Sequence, residues 1–308
     1  MGLTGNLGLG RRTQPRPSCD LAGRTFLLGV GAQKTGTSWL YRYLAAHPDT
    51  FLPVIKELHV FDAHFRPDWF GSYDQAFARR LAEALDRQRD CKRAHLRRRV
   101  QQLLDRALIT YDVDRYLDLF RALPGPRQLT GDITPSYSVL DASHFSRIRA
   151  MLTDTGMTPR VVFLMRDPVE RVWSASRMWA RKRGITDADL IRREAIAQLN
   201  RPGELARSRY DRTIAALEAV FPPEELFLGF YETLFQERTT RAICDHLKLE
   251  YRPADYAKAI NASPRPAELL PEQRRLIRTT LDPVYGYCAD RLGDDLPAAW
   301  NMAAARAA

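Results

Sequence analysis

The chain has few cysteines and no arrangement of them that does chemistry. Cys19, Cys91, Cys244 and Cys288 lie far apart in 308 residues and form no C-x-x-C pair. That excludes a metal knuckle or a disulfide framework and implies reduced thiols in a cytoplasmic protein. Long apolar runs are absent as well. The most continuous, Val161 to Met165, is far shorter than the roughly 20 residues a membrane helix needs. The opening stretch, MGLTGNLGLGRRTQPRPSCDLAGR, has no apolar signal core. It also carries Asn6 where N-myristoylation wants Ser or Thr. Its Gly, Pro and Arg content predicts a loose N-terminal arm over residues 1–23. Acidic residues are in deficit, with 37 Asp and Glu against 47 Lys and Arg, a net charge of +10 and a pI near 9.6. That balance fits an anionic ligand, polymer or surface without choosing among them. With 45% hydrophobic and 27% charged residues, the composition is that of a globular chain rather than a disordered one.

A further absence is local. FLLGVGAQKTGTSWLYRYL (Phe26 to Leu44) looks like a phosphate-binding loop without its lysine in the usual place. A Walker A loop reads G-x-x-x-x-G-K-[ST]. Gly31 and Gly36 have that spacing and Ser38 is in register, but Thr37 stands where the lysine belongs. Lys34 has moved back into the loop. A strand, a Gly loop and a helix in series present backbone N–H groups and a helix N-terminus to an anion. Thr35, Thr37 and Ser38 add hydroxyl donors. A solvated turn with an incidental lysine is the bland alternative.

Strands and helices alternate along the rest of the chain. TFLLGV, RQLTGDIT, PRVVFLMRD and EELFLGFYE read as buried strands. TFLPVIKELHVFD reads as a strand-and-turn segment. The helix after PRVVFLMRD has Asp167 as N-cap, Pro168 at the first position and Glu170 at the third. From Gln75 to Phe120 the pattern is helical, with one apolar stripe on Val100, Leu103, Leu104, Ala107 and Leu108 and another on Val113, Tyr116, Leu117 and Phe120. This alternation predicts a P-loop-type α/β fold: a doubly wound parallel sheet flanked by helices. It would form a single domain over residues 24–308 with a helical insertion around 75–122. Ligands bind such sheets at the carboxyl ends of strands, here the loops after Val30, Ile133, Met165 and Phe230.

The loop GAQKTGTSWLYRYLAAHPD resembles the 5′-phosphosulfate loop of sulfotransferases that use 3′-phosphoadenosine-5′-phosphosulfate (PAPS). FLMRDPVERVWSAS resembles the same family's 3′-phosphate motif, a strand ending in Arg followed by Ser eight positions on. The resemblance implies a cofactor site of Gln33, Lys34, Thr35, Gly36, Thr37, Ser38, Arg166 and Ser174, with Lys34 neutralising the leaving phosphate and PAP as product. IKELHVFDAHF is similar to the Lys-Glu-x-His-x-Phe segment of heparan-sulfate-type and related bacterial sulfotransferases. It implies Glu57 as the base that deprotonates the acceptor hydroxyl or amine, with His59 beside it or in its place. As strand positions two apart, both side chains would face one way.

TGDITPSYS resembles the family's GEKTPSY segment but departs from it. Asp132 replaces a Glu, and Ile133 replaces a Lys that many relatives place near the sulfuryl group, which leaves Lys34 or Lys56 to compensate. Thr134, Pro135 and Tyr137 would be wall residues. NASPRPAELLPEQ resembles the cofactor-covering loop, and Arg265 is its candidate contact to the 3′-phosphate. The implied reaction is metal-free sulfuryl transfer to a glycan, lipid or small-metabolite acceptor.

Two rival readings come from other classes. A P-loop kinase or NTPase would account for the Gly loop, but Thr37 displaces its lysine. Arg166 also interrupts the strand-to-Asp pattern that would hold magnesium. A nucleic-acid module would rest on the basic runs Arg79-Arg80 and Cys91 to Val100, which fit the solvated face of an amphipathic helix better.

Overall fold

The computed structural model describes residues 20–70, 81–83, 85–86, 100, 103–109, 115–121, 128–256 and 268–300. Five strands, β1 (Thr25–Gly31), β2 (Thr50–Phe51), β3 (Leu129–Ile133), β4 (Thr158–Met165) and β5 (Leu226–Phe230), form one sheet in the order β2-β3-β1-β4-β5. Every pairing is parallel, with β1 between β3 and β4. The sheet is thus the doubly wound type that the strand–helix alternation predicts.

Each strand explains its place by composition. β1 is buried at every position because both faces of the sheet are covered. Successive side chains go to opposite faces. Phe26, Leu28 and Val30 enter one core with Phe163, Tyr137 and Trp173, and Leu27 enters the other with Leu40, Leu44, Leu164 and Ile243. Burial of each large aliphatic or aromatic side chain contributes about 1.5–3 kcal/mol to holding these layers.

The helices that frame the site are α1 (Thr37–Ala45), α2 (Val60–Phe65), α3 (Ala142–Thr153), α4 (Pro168–Arg183), α5 (Tyr210–Glu218), α6 (Glu237–His246), α7 (Pro271–Thr280) and α8 (Asp282–Leu292). α4 begins as its sequence predicts. The Asp167 side chain accepts from the Glu170 amide at 2.9 Å, Pro168 occupies the first turn, and Gly184 ends the helix in a left-handed conformation.

Two expectations are corrected here. The strand predicted within TFLPVIKELHVFD shrinks to Thr50–Phe51. Pro53, two residues past its end, has no N–H to carry a ladder further. The first helical stripe is only partly buried: Val100 and Leu103 pack with Ile55 and Leu81, but Leu104 and Leu108 are exposed. In the second stripe Tyr116, Leu117 and Phe120 are buried as predicted, and Val113 lies outside the described residues. So do Arg79-Arg80, residues 91–99, Cys19, Cys91 and Arg265. Cys244 and Cys288 are buried free thiols. No helix among the described residues is long and apolar enough to cross a membrane.

Candidate active site

The carboxyl end of β1 delivers the chain into the loop 31–36, and three residues there have positive φ: Gly31 at 136°, Lys34 at 74° and Gly36 at 86°. Two of these positions require glycine. A Cβ on Gly31 would lie 2.7 Å from the Pro135 carbonyl oxygen, and one on Gly36 would lie 2.4 Å from Leu234 Cδ2. The Thr35 hydroxyl is buried and donates to the Ala32 carbonyl at 2.6 Å, so it braces the loop rather than facing outward. Thr37 and Ser38 open α1. Gln33 keeps a buried side-chain oxygen with no hydrogen-bond partner.

Lys34 sits half-buried at the crest of this loop. Burial lowers its ammonium to a pKa of about 8, and the charges of Arg181, Arg166, Arg177 and Lys182 add to the effect. The charges named here are all cations. Such a cluster is unstable by itself and is relieved by a polyanion.

Arg166 immediately follows β4. Its guanidinium lies over the Tyr231 ring at 4.3 Å, is 3.6 Å from Glu170 and reaches to within 3.4 Å of the Lys34 carbonyl oxygen. The Tyr210 hydroxyl donates to the Arg166 carbonyl at 3.0 Å and fixes the backbone there. Glu170 also accepts from Arg274 of α7 at 2.9 Å, so the C-terminal helices are tied to the same corner. Ser174 lies two turns into α4, buried, on the helix face shared by Glu170, Arg177 and Arg181. Asp167 is pushed up to about 6 by burial, against the pull of the Glu170 amide and the Tyr285 hydroxyl. It holds Tyr285 of α8 at 2.9 Å. This carboxyl is a structural hub of the helix start.

The second half of the site lies between β2 and α2. Glu57 and His59 both have left-handed backbone, φ 65° and 55°, not the strand geometry predicted for them. Their side chains nevertheless meet, with His59 Nε2 3.7 Å from Glu57 Oε2. Two partners hold the pair from outside. Asp62, fully buried, meets His59 Nδ1 at 2.7 Å, and the Lys56 ammonium donates to Glu57 Oε1 at 2.7 Å. Lys56 also donates to Thr37 Oγ1 at 3.3 Å, which links this half to the loop. Burial opposes ionisation of Glu57, but Lys56 and then His59 outweigh it and hold the carboxyl well below the ordinary carboxylate range. The Glu57 side chain stays 37% exposed, so solvent moderates the Lys56 attraction. Burial likewise disfavours the His59 imidazolium, yet Asp62 and then Glu57 raise its pKa overall.

A buried polar layer supports these residues. The Asp132 carboxyl is pushed up by burial and accepts from Tyr137 at 2.6 Å and Thr134 at 2.8 Å. Tyr137 in turn accepts from the Val60 amide at 3.3 Å, and Thr134 Oγ1 from the His59 amide at 3.5 Å. Thr134 and Tyr137 are therefore buried supports beneath the Glu57–His59 segment, and Pro135 is buried with its carbonyl against Gly31, so the three do not form the exposed wall predicted. Ile133 points the other way, into the core cluster with Leu27, Leu40 and Leu164, and its Cγ1 sits where a Cβ on Gly29 would be 2.9 Å away. The position thus belongs to the core.

The structure brings together Lys34, Arg166 and the face of α4 that carries Ser174, and separately Glu57 with His59. Sequence reasoning missed four contributors: Asp62, Tyr231, Arg177 and Arg181. Asp62 follows His59 by three residues, and Arg177 and Arg181 continue the helical spacing set by Ser174, so both signals were present. Tyr231 carried none.

The model of the sulfotransferase family matches residues 27–253 of the chain. Among solved structures the chain is similar to a sulfotransferase from Alicyclobacillus acidocaldarius, at 21% identity over 90% of this chain and 99% of that one, with a TM-score of 0.57. It is also similar to the sulfotransferase domain of the Synechococcus PCC 7002 olefin synthase, at 17% identity, coverage of 95% and 96%, and a TM-score of 0.45. A third is the sulfotransferase domain from the curacin biosynthetic pathway, at 16% identity, coverage of 94% and 98%, and a TM-score of 0.46. No curated protein matches the chain. The match over residues 27–253 takes in the glycine loop, the Glu57–His59 segment and the Arg166–Ser174 helix together, and by it the chain belongs to the sulfotransferase family.

Proposed function

We propose that the enzyme transfers a sulfuryl group from PAPS to an acceptor hydroxyl or amine. The observation that carries this reading is the company of Lys34, an ammonium at the crest of an anion-cradling loop, with the Arg166 guanidinium 3.4 Å from its carbonyl oxygen and the charges of Arg181, Arg166, Arg177 and Lys182 bearing on it. The partnerless buried oxygen of Gln33 and the positive φ of Gly31 and Gly36 fit the same cradle.

When bound, PAPS would supply the sulfuryl group and an adenine nucleotide to hold on to. Arg166 and Ser174 would anchor the 3′-phosphate, since a guanidinium can give a dianionic phosphate two parallel hydrogen bonds. Lys34 and the loop amides would stabilise the charge that gathers on the departing phosphate. Glu57 would take the acceptor's proton, with His59 as the alternative base. The sulfuryl group that bound PAPS supplies would pass to the acceptor atom so deprotonated, with PAP as the leaving group and Lys34 placed to receive its charge. Asp62 would hold the His59 ring in one orientation, and Lys56 would keep Glu57 ionised. Little covalent chemistry is asked of the protein, so positioning and electrostatics dominate.

The decisive test is calorimetry with PAP in the presence of EDTA, followed by transfer assays with sulfur-labelled PAPS across glycan, lipid and small-metabolite acceptors. Metal-independent PAP binding and label transfer that Glu57→Gln abolishes would support the reading. Preference for ATP with magnesium over PAP would favour the kinase alternative and end this one.

A further inference from the structure

Two arginines share the Glu170 carboxylate, and they share it unequally. Arg274 of α7 donates to one oxygen at 2.9 Å, a charge-assisted hydrogen bond. Arg166 stands 3.6 Å from the other oxygen, too far for a hydrogen bond. The three come from separate elements. Arg166 follows β4, Glu170 lies in the first turn of α4, and Arg274 is 104 residues beyond Glu170 in the chain. Arg166 also has contacts that owe nothing to the carboxylate. Its guanidinium lies over the Tyr231 ring at 4.3 Å and reaches to within 3.4 Å of the Lys34 carbonyl oxygen.

On the donor reading, Arg166 takes a dianionic phosphate. A carboxylate at its side then works against it, because it competes for the guanidinium and repels the phosphate. Two more carboxyl groups stand at the same helix start. Asp167 accepts from the Glu170 amide, and Glu232 accepts from the Asp167 amide, both at 2.9 Å. The side chains of Arg166, Glu170 and Arg274 are 9%, 31% and 23% exposed, so water screens their charges only in part. Arg274 relieves the conflict in two ways. Its hydrogen bond gives the carboxylate a closer partner than Arg166. Its charge leaves the three side chains with one net positive charge, where Arg166 and Glu170 alone would cancel.

We propose that Arg274 sets the preference for a nucleotide that carries a 3′-phosphate. By taking up Glu170 it leaves the Arg166 fork for the phosphate and cancels the charge that would repel it. Arg274 is a positioning residue, acting through Glu170 rather than on the nucleotide. The inference deepens the donor reading above and rests on it.

Calorimetry of the full chain compares PAP with adenosine 5′-monophosphate (AMP), which differs from it only by the 3′-phosphate. Wild type should prefer PAP by about tenfold or more, the scale of charge-assisted hydrogen bonds to that group. Arg274→Ala should weaken PAP roughly tenfold, the scale of one uncompensated charge nearby at partial burial, and AMP by less than about threefold. Arg274→Gln keeps a donor but not the charge. It should repeat that loss, and it stands in if the alanine variant does not fold. Glu170→Gln should bind PAP at least as tightly as wild type. Added to Arg274→Ala, it should return PAP affinity to within about threefold of wild type, because the two changes are coupled. Arg291→Ala removes another ion pair of a C-terminal helix, with Glu218, and should leave the PAP-to-AMP ratio unchanged. A merely structural Arg274 would weaken both nucleotides together and would gain nothing from Glu170→Gln, and either result overturns the inference. So does weaker PAP binding by Glu170→Gln, or a ratio shifted equally by Arg291→Ala. Failure of wild type to bind PAP removes the donor reading and this inference with it. Tight PAP binding with a PAP-to-AMP ratio blind to Arg274 removes this inference alone.

Discussion

Residues 31–38 and residues 56–62 face each other across the site, and they hold their shapes by different means. The first segment is held by glycines that no side chain could replace, by a buried Thr35 hydroxyl and by the end of the central strand. The second has no glycine, although two of its residues share the same left-handed backbone region. Its shape is held by the ion pairs Lys56–Glu57 and His59–Asp62 and by amide contacts to Thr134 and Tyr137, just past the end of β3. The donor half is therefore a backbone device that survives loss of its charges. The acceptor half is a side-chain device whose charges also hold its conformation. Positive φ in non-glycine residues costs on the order of 1 kcal/mol or more each and persists only where such surroundings impose it.

That contrast can be broken by substitution. The largest effect should come from the proposed base: Glu57→Gln is expected to lower kcat by two to four orders of magnitude. Because Glu57 also secures its segment, the same variant should lose thermal stability, as read by calorimetric unfolding. His59→Asn with a larger kcat loss than Glu57→Gln would move the base to His59. Next, Lys34→Ala should lower kcat by about two to three orders of magnitude while the melting temperature stays the same or rises, since a crowded cation is removed. An unchanged turnover would refute its role. Third, Arg166→Ala should weaken PAP binding roughly 10- to 100-fold in calorimetry with a smaller change in kcat.

The smallest effect concerns pH. The loop lysine has its pKa depressed to about 8 when no ligand is bound. An anion binds its protonated form and raises that value, so binding takes up protons. PAP affinity should be level below pH 8 and fall as pH rises through it, by less than tenfold per unit. Calorimetry in buffers of different ionisation enthalpy should register the proton uptake, and Lys34→Ala should abolish it. A rise in affinity above pH 8 would reverse the sign and dismiss the assignment.

How much was legible in the sequence follows the same division. The sheet, the glycine spacing and the Arg166–Ser174 helix could be read because each is fixed by residues close together in the chain. Pro168 and Asp167 announced their helix in the same way. The segment 56–62 was drawn in the wrong conformation. Nothing in Glu57 or His59 signals a left-handed backbone, and the contacts that impose it come from Asp132, Thr134 and Tyr137 about 75 residues away, as the His59–Thr134 separation shows. Asp132 was read as a substitution in the site. Its carboxyl is instead a buried acceptor that needs hydrogen bonds, and it draws Tyr137 and Thr134 under the segment. Ile133 looked like a missing cation because side-chain alternation was not applied to it. With Asp132 turned to one face of β3, its neighbour must enter the opposite core.

Lys56 gives the two halves a common contact. Its single ammonium touches the first hydroxyl of the loop helix and the carboxylate across from it. Whatever draws that ammonium toward an arriving phosphate loosens its hold on Glu57, whose proton affinity then climbs. Donor occupancy and readiness of the base become linked quantities, each altering the other by the same free energy. On the proposed reading, filling one side of the site and protonating the other are coupled through a single side chain.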